Sequence, residues 1–140
     1  MNRIIAMAAL LLLSGVAAAE GLATPAPEGA ELYFISPKDG EVISSPVTVR
    51  FGLRGMGVAP AGVERADAGH HHLLIDGPEL PAQGLPLPAT EQIRHFGGGQ
   101  TEAVVELSPG SHSLQLLLGN HLHIPHQPPV VSASITITVE

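Results

Sequence analysis

Six of the eight histidines in this chain fall into two short runs, His70-His71-His72 and His121-Leu122-His123-Ile124-Pro125-His126. The other two are His95 and His112, and there is no cysteine. Imidazole is the common transition-metal ligand and the side chain that titrates near neutral pH. Two runs with i, i+2 spacing therefore suggest one of two chemistries: a metal held by neutral ring nitrogens, or a network of imidazoles that takes up protons below about pH 6.5. Without cysteine there is no thiolate site, thiol nucleophile or disulfide, and a blue-copper centre is excluded. Imidazole donors suit Cu²⁺ and Zn²⁺. Copper has the higher divalent affinity for nitrogen sites, which places it slightly ahead. Met56 is the only methionine beyond the N-terminal apolar run, so no thioether-rich site can form. Imidazole must be neutral to bind, so the ordinary ring pKa predicts that affinity collapses below about pH 6.

These side chains have to be positioned by strands. After the first 30 residues the pattern is one of alternation and turn residues, with no helical period or caps. Strands are predicted at 31–36, 47–53, 70–76, 102–107, 112–118 and 131–139. Pro37-Lys38-Asp39-Gly40 and Ser108-Pro109-Gly110 are turn signals. Residues 55–69 read as a loop, and the Pro- and Gly-rich stretch 77–99 has no clear assignment. The expected fold is all-β: an antiparallel immunoglobulin-like sandwich of about seven strands in Greek-key order, with a small Greek-key barrel as the alternative.

Strand parity then orients the histidines. In the third strand Leu73 and Ile75 mark the core face, so His71 should point inward as a packing residue while His70 and His72 point outward. On the sixth strand Leu114, Leu116 and Leu118 mark the core. If that strand continues, His121 and His123 point outward. Each i, i+2 pair spans about 7 Å, within reach of one ion. In an immunoglobulin-like order these two strands are antiparallel neighbours, so the start of one meets the end of the other. His70, His72, His121 and His123 should converge there, with His126 and His95 as further candidate ligands and Met56 nearby. His112 should lie at the opposite end as a structural or solvated residue.

The N-terminus reads as a secretory signal: Arg3, an apolar run from Ile4 to Leu13, and Ala17-Ala18-Ala19 as the cleavage site. Residues 1–19 are expected to be removed, 20–30 to form a flexible leader, and 31–140 to be a single periplasmic or secreted domain. Formal charge is -7, and loss of Arg3 takes it to -8, which disfavours nucleic acid and anionic membranes as partners. No later stretch is long and apolar enough to insert in a membrane. With no Trp and one Tyr, stacking-based ligand binding is disfavoured.

Three functions compete. The first is binding of copper or zinc for metal handling or buffering. The second is a structural or interaction module whose histidines fix loops. The third is a copper enzyme of superoxide-dismutase type, for which Arg94 is the only candidate anion guide. Glu20 at the expected mature terminus excludes an oxidative histidine brace. Gly97-Gly98-Gly99 is a close-approach loop rather than a phosphate cradle, since no lysine follows.

Five segments together resemble a family of exported bacterial domains defined only as a domain of unknown function. They are Phe34–Gly40, Gly55–Gly62, Gly69–Asp76, His95–Glu102 and Leu116–His126. The resemblance runs from Glu31 to the C-terminus and implies an exported single domain without supplying an activity. Asn120 departs from it, since an acidic residue is the usual one at that place.

Overall fold

The computed structural model describes residues 21–140, so the expected signal peptide lies outside the described residues. Nine strands and no helix make up the described chain. They are β1 (Glu31–Ser36), β2 (Val42–Ile43), β3 (Val47–Arg54), β4 (Gly57–Val58), β5 (Ala68–Ile75), β6 (Ile93–His95), β7 (Glu102–Val105), β8 (Gly110–Gly119) and β9 (Ile135–Val139). One sheet has the order β1-β3-β7. The other runs β2-β9-β8-β5-β4, and β6 also pairs with β5. The two sheets form a β-sandwich. The six expected strands are all present, the first with the expected ends and the other five with shifted ones, and β2, β4 and β6 are additional, each only two or three residues long. Most pairs are antiparallel as expected, but β2-β9 and β4-β5 are short parallel pairs.

Period-two alternation builds the core. Val47, Val49 and Phe51 of β3 face Leu73 and Ile75 of β5, Leu114, Leu116 and Leu118 of β8, and Ile135, Ile137 and Val139 of β9. Burial of each such side chain contributes about 1.5–3 kcal/mol, which lets a domain without disulfides hold together.

The strand that carries the first histidine run is unusual, because all eight of its residues are buried. A strand covered on one face would alternate. The second cover is the stretch that gives no clear pattern in the sequence. Leu87 and Ile93 pack on Leu74 and Leu117 as a small second core on the outer face of β5 and β8. The Leu87 N–H donates to the His123 carbonyl at 2.9 Å, tying this cover to the second histidine run.

Residues 22–27 run beside the 120–127 segment. Asn120 Nδ2 donates to Leu22 O at 3.0 Å, Gln127 N to Thr24 O at 3.0 Å, and Ala26 N to Gln127 O at 3.2 Å.

Candidate metal centre

β5 and β8 are antiparallel neighbours with His70 opposite Gly119 and His72 opposite Leu117. The start of β5 therefore lies beside the end of β8, as the topology argument requires. His70 and His72 project to the face away from the sandwich core. They are not solvent-exposed there, however, because each has 0% relative exposure. The expectation of outward rings holds for direction and fails for exposure, since parity cannot see a covering loop.

The third ring arrives by a turn, not by strand continuation. β8 ends at Gly119, and Asn120 reverses the chain. His123 N donates to Asn120 O at 2.9 Å, and Asn120 N donates to Ile124 O at 2.9 Å. The Asn120 side-chain oxygen accepts from Leu122 N at 2.9 Å and Ile124 N at 3.1 Å. His123 itself has φ +63°, an uncommon conformation for a residue with a Cβ. The turn lays His123 back over β5. Its Nδ1 lies 2.9 Å from His70 Nε2 and 3.4 Å from His72 Nε2. One nitrogen from each of His70, His72 and His123 falls within a 4.8 Å group.

Gly119 is part of this arrangement. A Cβ there would stand 2.5 Å from His72 Cε1, so only a hydrogen fits beneath the ring.

His95 is the fourth ring. It pairs across from His72 in the β5-β6 register. Its centroid is 4.4 Å from that of His72 and 4.7 Å from that of His123. Its Nε2 donates to Pro88 O at 3.1 Å, and the three-nitrogen group does not extend to it. His126 is buried nearby but faces elsewhere. Its Nδ1 shares a 2.9 Å hydrogen bond with the Thr24 hydroxyl, and its Nε2 lies against Gly69 with no partner. His121 does not join the cluster. It lines a separate cleft of about 250 Å³ with Thr24, Glu64 and Asp67. The strand that would have set its parity has already ended.

His71 points inward as expected, with its ring 4.9 Å from that of Phe51. Met56 packs against the core, and no sulfur contact to the cluster is needed for the three-nitrogen group. His112 sits at the far end of β8, bonded to Asp76 Oδ2 at 2.9 Å and Ser108 O at 2.7 Å.

Burial sets the protonation of the cluster. It pushes the His70 ring down from 6.5 to about 4, helped by the neighbouring imidazoles, His123 first. His72 is pushed to about 2, chiefly by burial and then by His70, His95 and His123. The Leu117 backbone opposes this only weakly, and His72 Nδ1 makes no well-formed hydrogen bond. Burial also lowers His123 and His126. These rings are neutral at pH 7, so a cation competes with no imidazolium proton, only with the N–H shared between His70 Nε2 and His123 Nδ1.

Sequence reasoning missed Gly119 and Asn120 as the residues that make room for the cluster and aim it. The Gly-Asn dipeptide was the available signal, because that pair marks a turn and thus the end of the strand. The cover by Leu87 and Pro88 had no such signal.

No curated protein and no solved structure matches the chain. A family model described as a domain of unknown function, DUF4399, matches residues 49–140, a span that contains β5, β6, β8 and all eight histidines. The chain belongs to that uncharacterised domain family.

Proposed function

We propose that this protein binds a copper or zinc ion through His70, His72 and His123, and that it serves in metal handling or buffering outside the cytoplasm. The single observation that carries the reading is the convergence of three neutral imidazole nitrogens within 4.8 Å. A metal between them would give the lone pairs of these three imidazoles one shared partner. His95 stands beside the group as a reserve or positioning ring, and His126 supports the loop from behind. The export signal read from Arg3, the apolar run and the Ala triplet supplies the compartment; N-terminal sequencing of the protein from its natural host tests it, with Glu20 as the expected first residue.

Because burial depresses the ligand rings, the acid limit moves. Affinity should persist to near pH 5 instead of collapsing below 6, since His70 and His72 protonate only at about 4 and about 2.

A second reading has its own observation. The 2.9 Å contact between His70 and His123 is a good hydrogen bond and would hold the 120–126 turn on β5 with no metal at all. Calorimetric titration of metal-free protein with Cu²⁺ and Zn²⁺ separates the two. Metal binding predicts a dissociation constant below about 10 μM near neutral pH, an interaction worth about 7 kcal/mol. Absence of such binding, with thermal stability falling in the His70→Ala, His123→Ala double variant, would leave the structural reading.

A further inference from the structure

The cluster has a charge property that bears on which ion it takes. Its three donors are uncharged, and no carboxylate oxygen among the described residues joins their nitrogens. The groups that act on the His70, His72 and His123 rings are one another, His95 and neighbouring histidines, not acids. The chain has no cysteine to bring a thiolate. Glu64 and Asp67 line the His121 cleft instead. His70 and His72 have no exposed surface, so solvent screens an ion between them poorly.

We propose that the His70-His72-His123 site selects a soft monovalent ion, Cu⁺, over Zn²⁺ and Cu²⁺. This rests on the metal-binding reading above and names its ligand. Three arguments support it. The cost of removing an ion from water rises with the square of its charge, so a divalent ion is roughly four times as expensive to bury as a monovalent one, and here nothing negative offsets it. Coordination number points the same way. Zn²⁺ takes four ligands in a tetrahedron and would need a water beside the three imidazoles, and Cu²⁺ favours a tetragonal set. The cluster offers three nitrogens, which is enough for Cu⁺. His95 is the nearest ring able to serve as a fourth, and its Nε2 is engaged by Pro88 O. Nor do the other described residues supply a better soft site, since Met56, the one methionine among them, packs against the core. An oxidising compartment favours Cu²⁺ in solution, and the buried neutral site works against that preference.

The test uses the intact metal-free protein under anaerobic conditions. Cu⁺, supplied as a cuprous salt in competition with a chromogenic cuprous chelator, is compared with Zn²⁺ and Cu²⁺ measured by matched competition at pH 7. The expected result is one Cu⁺ per chain, bound at least a hundredfold more tightly than either divalent ion. Relative to Cu²⁺ that preference raises the copper reduction potential by about 120 mV, at 59 mV per tenfold for one electron, and voltammetry of the copper-loaded protein reads it independently. Equal or tighter binding of Zn²⁺ or Cu²⁺ overturns the selectivity while leaving metal binding intact. Binding of none of the three ions overturns both. His123→Ala, on the surface turn, should lose the Cu⁺ preference with the fold retained by circular dichroism. Cu⁺ binding unchanged in that variant would also overturn the proposal.

Discussion

At the scale of single residues, the site depends on what is missing as much as on what is present. His72 fits only because position 119 lacks a Cβ, which would otherwise come within 2.5 Å of the ring. Gly119→Ala should therefore displace the ring or spread β5 from β8, at a cost of about 1–3 kcal/mol for an overpacked site. Thermal denaturation should show the loss, and the variant should bind metal more weakly than the parent. Unchanged stability and affinity would mean that the ring has room the structure denies it. Much of the residue-level site was legible beforehand. Alternation of Leu73 and Ile75 with the histidines told which rings faced the core, and His71 against Phe51 follows it. His121 did not, because parity is meaningful only while the strand lasts, and Asn120 ends it.

Among elements, the turn from Asn120 to Ile124 decides whether there is a site. β5 supplies two rings in fixed register, but His123 reaches them only because the chain reverses through Asn120 and holds φ +63°. Asn120 does this with three side-chain bonds, accepting from Leu122 N and Ile124 N and donating to Leu22 O. Asn120→Ala removes all three and leaves the buried Ile124 N–H without this acceptor, along with the part-buried Leu122 N–H and Leu22 carbonyl. A loss of about 2–3 kcal/mol is expected from orphaned groups of this kind, together with weaker metal binding and faster amide exchange at Leu122 and Ile124. Amide exchange confined to its parental rate would place the control of the turn elsewhere. The second cover, Leu87 and Ile93 over Leu74 and Leu117, was not readable in the sequence. A Pro- and Gly-rich stretch has no period to reveal which face it will lie on. Its effect was visible only as a strand, β5, that is apolar or histidine on both faces, and such a run is compatible with several folds.

Across the whole molecule, the two ends of the β5-β8 pair respond to protons in opposite senses. At the cluster end, His70 and His71 are depressed to about 4 and His72 to about 2, with burial the first cause in each. The unfolded chain takes up these protons near 6.5 and the native chain does not. Stability from this end is thus complete above 6.5 and is lost as pH falls toward 4. At the other end, both ring nitrogens of His112 face acceptors, Ser108 O and Asp76 Oδ2, an arrangement that favours the imidazolium. Its pKa is raised, first by the Ser108 carbonyl and then by Asp76. Its contribution is complete below 6.5 and fades as pH rises through the native value. Five depressed rings, with His123 and His126 added to these three, outweigh one raised ring, so the metal-free protein should lose melting temperature steadily between pH 6.5 and 4. His112→Gln should be destabilised more at pH 6 than at pH 8. A melting temperature flat across the acid range would contradict this assignment of charges. The sandwich itself was legible from strand count and turn signals, because alternation is a direct consequence of having one face in a core. The short parallel pairs β2-β9 and β4-β5 were not, since two residues carry no period.

Whether His70, His72 and His123 hold one ion decides between metal binding and a purely structural cluster. X-ray absorption at the metal edge, on intact protein loaded with one equivalent of copper or zinc near pH 7, measures this directly. The expected spectrum has a first shell built from about three imidazole nitrogens near 2.0 Å, the distance typical of metal–histidine bonds. In His123→Ala that shell should be lost or reduced. A shell of oxygen ligands without imidazole scattering, or one that is unchanged in His123→Ala, would contradict the central claim.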